Sequence, residues 1–281
     1  MASAVPTISP TRLRQIALIT DDLDRAEHIL TEVVFVDPGV AQWGLKNILV
    51  AIGGDIIEIC APTKPDTTVG RLLKKRGEGG YMIIMQTLDA AARRRYIEDN
   101  GLAKVIWGRE HDDVTCVQYH PKGIAGGMMP ELDSHTPSPS NPTPLASAFS
   151  PWHACGSEYE KYAAGMERAS HLKLVGAACR LGPGQTDTQG AAQQWQNYFG
   201  VERQESELVY TNARLKFVAG SNALPEGLES ITIQVQGKDR LNEMLAAARR
   251  EGLGDDGGMR FLGLTWRFVL AEEPHHRSSK L

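Results

Sequence analysis

The sequence lacks the features that mark several large classes of protein. It has no apolar run of the roughly 18–20 residues that a membrane-spanning helix needs. Its formal net charge is only −4 over 281 residues, which gives no electrostatic reason to expect a nucleic acid or an anionic membrane as a partner. Its four cysteines are scattered, without the paired spacing of a zinc finger or a redox motif. We therefore expect reduced, packed thiols.

The common nucleotide-binding and hydrolase motifs are absent as well. No GxGxxG follows a strand, and there is neither a P-loop nor a GxSxG elbow. The glycines of LGPGQTDTQG have the wrong spacing for a phosphate loop. With 42% hydrophobic and 23% charged residues, the composition is that of a globular protein with one large domain or two of ordinary size.

What the sequence does contain is a repeated pattern of a strand, a helix and further strands. Residues 12–33 read as an alternating strand followed by an amphipathic helix. KNILVAIGG and DIIEICAP then form two short strands joined across Gly53 and Gly54, which is typical of a hairpin. The pattern begins again at Tyr81 with a strand, a helix ending at Gly101 and three strand-like segments.

The same pattern recurs after a Pro- and Ser-rich segment that is a linker by composition. A helix is predicted over Thr188–Phe199, ended by Gly200. We therefore predict a disordered lead over residues 1–11, a first module pair over 12–132, a linker over 133–151, a second, degenerate pair over 152–271 and a tail over 272–281. The tail ends in SKL, which predicts a peroxisomal location if the source is eukaryotic and a cytoplasmic one otherwise.

Four segments together resemble one superfamily in their order and spacing. They are IALITDDLDRA, GLKNILVAIGGDIIEICAPT, GRLLKKRGEGGYMIIMQTLDAA and YHPKGIAGGMMPEL. They are similar to the glyoxalase, bleomycin-resistance and extradiol-dioxygenase proteins, the vicinal oxygen chelate superfamily, and to its glyoxalase-like branch. The resemblance implies an α+β fold in which four βαβββ modules pair into two curved half-barrel sheets, each enclosing a cleft.

The resemblance also implies positions for a metal ion in the first cleft. They fall on Gln15, Glu58 and Glu131, while the fourth position lies near Gly80–Met82 and has no histidine. Three oxygen ligands favour Mg²⁺ or Mn²⁺ over Zn²⁺ or iron, and a cleft without any metal is the alternative. The absence of two histidines and a carboxylate excludes extradiol ring cleavage.

In the second half, the corresponding positions fall near Gly176, Ser230 and Arg267. An arginine in place of a ligating carboxylate argues against a divalent cation there. The second pair is therefore either a stabilising copy or a place where Arg267 binds an anionic part of a ligand.

Six side chains are further candidates for the chemistry, each with an ordinary structural alternative. Carboxylates in apolar strands tend to have raised pKa values and suit proton transfer. A cleft phenol suits donation to an oxyanion, and aromatic walls suit a small-molecule site. The predicted catalytic residues are Glu58, Glu131, His120 and Tyr81, and the predicted cleft walls are Trp43 and Trp107.

Two functional hypotheses follow. The first is an isomerase, epimerase or lyase that removes a proton next to the carbonyl of a small metabolite, a thioester among the candidates. The second is a metal-free protein that binds or sequesters a small molecule through its aromatic side chains. In both cases the partner is a small molecule, with neither nucleic acid nor membrane, and a homodimer is possible.

Overall fold

The computed structural model describes residues 8–35, 47–64 and 66–272. Trp43 and the residues after Glu272 lie outside this part of the chain. Among the described residues, no helix is both long and apolar enough to cross a membrane.

The first sheet contains seven strands in the order β2-β3-β1-β4-β7-β6-β5. Their bounds are β1 (Arg12–Ile19), β2 (Asn47–Ile52), β3 (Asp55–Cys60), β4 (Gly79–Gln86), β5 (Val105–His111), β6 (Val114–Tyr119) and β7 (Met129–His135). β1 and β4 lie antiparallel at the centre. Each runs parallel to the last strand of its own module, β3 or β7.

The second sheet contains eight strands in the order β13-β14-β15-β12-β8-β11-β10-β9. Their bounds are β8 (Leu172–Arg180), β9 (Glu202–Gln204), β10 (Glu207–Val209), β11 (Arg214–Val218), β12 (Gly227–Val235), β13 (Gly254–Asp255), β14 (Gly258–Phe261) and β15 (Leu264–Leu270). β8 and β12 are antiparallel at the centre, and each is parallel to β11 or β15. The predicted architecture of four modules in two sheets is therefore confirmed.

A helix follows the first strand of every module. The helices are α1 (Leu23–Glu27), continued by a π-helical segment (His28–Val34), α2 (Thr68–Arg76), α3 (Ala90–Asp99), α4 (Tyr159–Arg168), α5 (Thr188–Phe199) and α6 (Lys238–Arg250), with a 3₁₀ turn at His153–Cys155. Asp187 caps α5 by accepting from the Gly190 N–H, and Gly200 ends it with φ +73°. Only glycine takes this left-handed conformation without strain, which is why the sequence predicted the helix correctly.

Local sequence also determines the turn between β2 and β3. Gly53 has φ +60°, and the two strands pair directly on either side of it, from Ile52 with Asp55 to Asn47 with Cys60. The hairpin brings Asn47 opposite the end of β3, close to Glu58.

The two faces of the first sheet have different partners. Side chains such as Ile16, Ile83 and Leu132 belong to a core that also contains residues of the second sheet, including Ile231 and Trp266. Residues on the opposite face join a separate cluster, in which Trp152, Cys155 and α4 cover the sheet. Both faces of β1 are therefore buried, and its polar residues are enclosed.

Two local predictions differ from the structure. β7 continues to His135, so Asp133–His135 belongs to a buried strand and not to the linker. Helix α2 was not predicted, and α3 begins after Asp89, which caps it. In both cases a short polar segment gave too weak a periodic signal to place the boundary.

Candidate functional site

A cavity of about 400 Å³ opens on the covered face of the first sheet. Its lining comes from both modules of that sheet and from the segment that crosses it. The chemically relevant lining residues are Gln15, Asn47, Glu58, Tyr81, Met82, Trp107, Gln118, Glu131 and His153. Residues far apart in the sequence therefore meet around one volume of small-molecule size.

The structure brings five of the predicted residues together around this cavity, namely Gln15, Glu58, Tyr81, Trp107 and Glu131. Their chemical roles remain predictions. His120 does not line it: its side chain is exposed, and its Nδ1 atom lies 3.0 Å from the backbone nitrogen of Lys122. The prediction that His120 contributes to catalysis is not supported, because a histidine before proline ends its strand outside the cleft. Arg267 lies on the second sheet, and Trp43 is outside the described residues.

Strand register identifies the position that lacks a histidine. Glu58 pairs with Ala17, two residues after Gln15, and Glu131 pairs with Ile84, two residues after Met82. Met82 is therefore the counterpart of Gln15 in the second module. A thioether is a poor ligand for a hard cation, so this position does not complete an oxygen-based metal site.

Glu58 is held by two amides. One carboxylate oxygen accepts from Gln15 Nε2 at 2.8 Å and the other from Asn47 Nδ2 at 2.7 Å. The indole nitrogen of Trp152 donates to Gln15 Oε1 at 2.7 Å. Because an indole N–H can only donate, it determines which end of the Gln15 amide faces Glu58. The arrangement fixes the orientation of the Glu58 carboxyl group.

Glu131 lies in a different environment, beside a second carboxyl group. Burial raises the pKa of Glu131 well above its ordinary value, and the neighbouring Asp133 raises it further. Burial also raises the pKa of Asp133 to about 8. The two side chains lie on one face of β7, two residues apart, and His153 Nε2 lies 2.7 Å from Asp133 Oδ2. Near neutral pH this pair therefore retains a proton.

Tyr81 and Trp107 occupy the remaining wall. Burial, followed by the proximity of Cys60 and Glu58, raises the pKa of Tyr81 to about 12. The phenol is therefore protonated at neutral pH and able to donate a hydrogen bond. Trp107 is 45% exposed, which places an apolar ring at the entrance.

Three residues that complete the site were missed by sequence reasoning. Trp152 and His153 lie just beyond the Pro- and Ser-rich segment, and Asp133 was assigned to that segment. The sequence did contain one signal for Asp133. It lies two residues after Glu131, and residues i and i+2 of a strand share a face. No local sequence pattern indicated that the Trp152 side chain contacts Gln15 on β1.

Comparison with known proteins agrees with this architecture. No family model and no curated protein matches the sequence. A solved hypothetical protein from Staphylococcus aureus is 12% identical, with 93% of this chain and 100% of that chain covered at a TM-score of 0.56. Shared topology over nearly the whole chain, with the four modules described above, decides the fold. The chain has the vicinal oxygen chelate fold.

Single module pairs are also similar to solved structures within this fold. A methylmalonyl-CoA epimerase from Streptomyces coelicolor is 25% identical, with 45% of this chain and 99% of that chain covered at a TM-score of 0.38. The epimerase from Mycobacterium tuberculosis is 20% identical, with 48% and 94% covered at a TM-score of 0.38. These scores are too low to support an argument about function.

The metal position expected in a vicinal oxygen chelate cleft does not fit the donors present. The Gln15 oxygen accepts from Trp152, and both Glu58 oxygens accept from amides. Burial and the neighbouring Asp133 disfavour the charged form of Glu131 that a cation would need. A cation would have to displace all three arrangements, so we derive no chemistry through a metal held by this oxygen set.

A different group of donors lies next to the cavity. Cys116, Asp133 and His153 each offer one ligand atom, and these atoms lie within 4.8 Å of one another. Asp133 Oδ1 is buried and has no hydrogen-bond partner among the described residues. Sulfur, nitrogen and oxygen together suit Zn²⁺ better than Mg²⁺, which differs from the predicted preference for Mg²⁺ or Mn²⁺.

A thermal-shift series separates the two donor sets. We expect Zn²⁺ to raise the melting temperature more than Mg²⁺ or Mn²⁺, and to do so more strongly as pH rises through about 8, because Asp133 must lose its proton before it can bind a cation. Cys116→Ser should weaken the Zn²⁺ effect, whereas Cys179→Ser, at a buried thiol far from the cavity lining, should not. If Mg²⁺ instead stabilised the protein, and this effect disappeared in Gln15→Ala, the predicted metal site at Gln15, Glu58 and Glu131 would be supported.

The orientation of Gln15 provides another test. Trp152→Phe removes the donor to Gln15 Oε1 while it retains most of the ring packing. We expect turnover to fall about 5-fold, since one hydrogen bond is worth roughly 1 kcal/mol and each 1.4 kcal/mol is about a factor of ten in rate, with KM little changed. Trp195→Phe, at another buried indole, serves as the control. Equal effects of the two variants would show that Trp152 acts only through packing.

Proposed function

We propose that the protein is an enzyme that moves a proton at the carbon next to the carbonyl of a small metabolite, as an isomerase, an epimerase or a lyase. One observation carries the proposal. A single cavity presents Glu58, whose two oxygens both accept from amides, and Glu131, which is buried beside Asp133. Two carboxyl groups in different environments that face one volume are the arrangement needed for paired base and acid chemistry.

Glu58 is the base of the proposed reaction. Its oxygens are oriented by Gln15 and Asn47, and Trp152 orients Gln15. The carboxylate takes the proton from the carbon, and the electron pair of that C–H bond moves toward the carbonyl oxygen. Donation from two amides holds both Glu58 oxygens in a fixed orientation, so the base is preorganised.

Charge that develops on the carbonyl oxygen requires a donor. Tyr81 is protonated at neutral pH because of its raised pKa, and its phenol lines the same cavity. Burial and the neighbouring Asp133 raise the pKa of Glu131, which favours its protonated form, and Glu131 lies on β7, on the opposite side of β1 and β4 from Glu58. Delivery of that proton to the opposite face of the planar intermediate inverts the carbon, and solvent then restores both carboxyl groups.

The size of the cavity limits the substrate. About 400 Å³ accommodates the reacting part of a small acid or ketone, near the lower end of ligand-pocket volumes. A thioester substrate would place its acyl group inside and its carrier at the entrance beside Trp107.

Exchange of substrate hydrogen with solvent tests the proposal. The protein is incubated in deuterium oxide with a panel of 2-substituted acyl thioesters, 2-oxo acids and 2-hydroxy ketones, and label at the carbon next to the carbonyl is followed by NMR. We expect label to enter at least one class, and both stereoisomers to form from one. Absence of exchange across the panel would overturn the enzyme proposal.

Binding without chemistry is the alternative, favoured by the half-exposed Trp107 beside Tyr81. In that case aromatic ligands would quench tryptophan fluorescence with saturation, and no panel compound would exchange. The same two measurements therefore separate the hypotheses. A homodimer and a peroxisomal location remain predictions, the latter resting on the final SKL tripeptide.

A further inference from the structure

The second sheet has its own pocket, at the position that corresponds to the carboxylate site of the first. Its volume is about 160 Å³, and it is lined by Gly176, Glu207, Arg214, Lys216, Ser230, Thr232 and Arg267, with Val175 and Ala177 beside them. Sequence reasoning placed Gly176, Ser230 and Arg267 near one another, and the structure adds two cations to them.

Strand register shows that this pocket is a charge-inverted counterpart of the first site. In the first sheet, Glu58 and Glu131 pair with Ala17 and Ile84 of the central strands. In the second sheet, the residues that pair with the equivalent central positions, Ala178 and Thr232, are Lys216 and Arg267. Each glutamate is therefore replaced by a cation at the same place in its module.

The pocket has a net positive charge and is accessible. Arg214, Lys216 and Arg267 are exposed, and only Glu207 among the lining residues is acidic, so two positive charges are in excess. Arg214 approaches Glu207 at 3.5 Å, whereas Lys216 and Arg267 form no hydrogen bond or ion pair with any described side chain. Like charges held close together on a rigid sheet repel one another unless an anion lies between them.

Neutral donors and a small floor complete the pocket. The hydroxyl-bearing residues Ser230 and Thr232 lie between the cations on β12. Gly176 takes the position that Gln15 holds in the first sheet, and without a side chain it leaves room above the strand. Hydroxyl and guanidinium donors around a small cavity match the acceptor oxygens of an oxyanion.

We propose that this pocket binds a small dianion, with a phosphate monoester as the chemical class, at a site distinct from the carboxylate cavity. The excess of two charges matches a phosphate dianion better than a single carboxylate. The proposal does not depend on proton transfer in the first sheet.

Calorimetric titration of the full chain with inorganic phosphate at low ionic strength tests this. We expect one site per chain, with sulfate binding comparably and acetate at least about 10-fold more weakly, since each lost charge contact is worth about a factor of ten. Arg267→Gln should weaken phosphate binding about 10-fold or more. Lys238→Gln, at an exposed cation on α6, should leave it unchanged.

A second variant tests whether the volume of the pocket, and not only its charge, is needed for binding. Gly176→Leu retains every cation but fills the floor, and a Cβ there would lie 3.4 Å from Thr232 Cβ, an ordinary contact. We expect phosphate affinity to fall at least about 10-fold while the melting temperature stays near that of the parent.

Three results would overturn the proposal. The first is that the parent does not bind phosphate. The second is that Arg267→Gln and Lys238→Gln weaken phosphate binding equally. The third is that Gly176→Leu is folded and binds phosphate as tightly as the parent. The last two would indicate diffuse surface attraction. The outcome is independent of the deuterium-exchange measurement, so failure of one proposal is distinguishable from failure of the other.

Discussion

Glu58→Gln is expected to reduce the rate of solvent-deuterium exchange by about 10²–10⁴-fold, the usual contribution of a general base. The amide retains the shape of the side chain but cannot accept a proton from carbon. In the parent, both carboxylate oxygens accept from amide NH₂ groups, one from Gln15 and one from Asn47. The glutamine variant has one oxygen and one NH₂ group, so one of these two hydrogen bonds is replaced by a contact between two donors. Substrate affinity should change much less than turnover, because the loss is confined to the transition state.

The matched control is Glu160→Gln, which makes the same chemical change at an exposed position on α4. Its exchange rate should equal that of the parent, and circular dichroism and melting temperature should show that both variants are folded. Normal exchange by folded Glu58→Gln would remove Glu58 from the mechanism and leave Glu131 as the candidate base among the described residues that line the cavity.

Asp133→Asn is expected to stabilise the protein at alkaline pH relative to the parent. Burial raises the pKa of Asp133 from its ordinary value of 3.8 to about 8. The folded state therefore holds this proton more tightly than the unfolded chain does. The resulting stabilisation is complete below about pH 4 and is lost as pH rises through about 8. Asparagine cannot ionise, so the variant avoids that loss.

Urea unfolding at pH 5 and pH 9, with a chelator present, measures the difference. At each pH, the free energy of unfolding of the parent is subtracted from that of Asp133→Asn. This difference should be larger at pH 9 than at pH 5, by an amount on the order of a few kcal/mol. Asp239→Asn, at an exposed position on α6, should follow the parent at both. If Asp133→Asn also followed the parent, burial would not raise the pKa of Asp133.

Much of the fold was accessible from local patterns. The period of apolar residues predicted α5, and Gly200 marked its end, because one residue type dominates that backbone conformation. Gly53 and Gly54 predicted the β2–β3 hairpin for the same reason. The order of the four modules followed from repetition and from the family resemblance, and the sheet topology confirms it.

The candidate site was predictable only in part. Gln15, Glu58 and Glu131 could be placed in one cleft because the resemblance supplied their strand positions. His120 was misplaced, since a histidine at a strand end faces outward or inward according to a register that one strand does not reveal. Trp152 and His153 follow a segment whose composition indicates a linker. Trp152 contacts Gln15 on β1, which is more than a hundred residues away in the sequence, and His153 contacts Asp133 on β7, about twenty residues away.

The amino-acid sequence by itself determined the α+β class, the repeated modules and the strands that carry the acidic residues, because periodicity and turn chemistry act over a few residues. Only the tertiary structure decided that Glu58 is held by amides, that Trp152 and His153 reach β1 and β7, and that Lys216 and Arg267 occupy the matching places on the second sheet. Burial, hydrogen-bond partners and net charge at a site depend on which distant side chains share a volume, and only the packing of the whole chain establishes that.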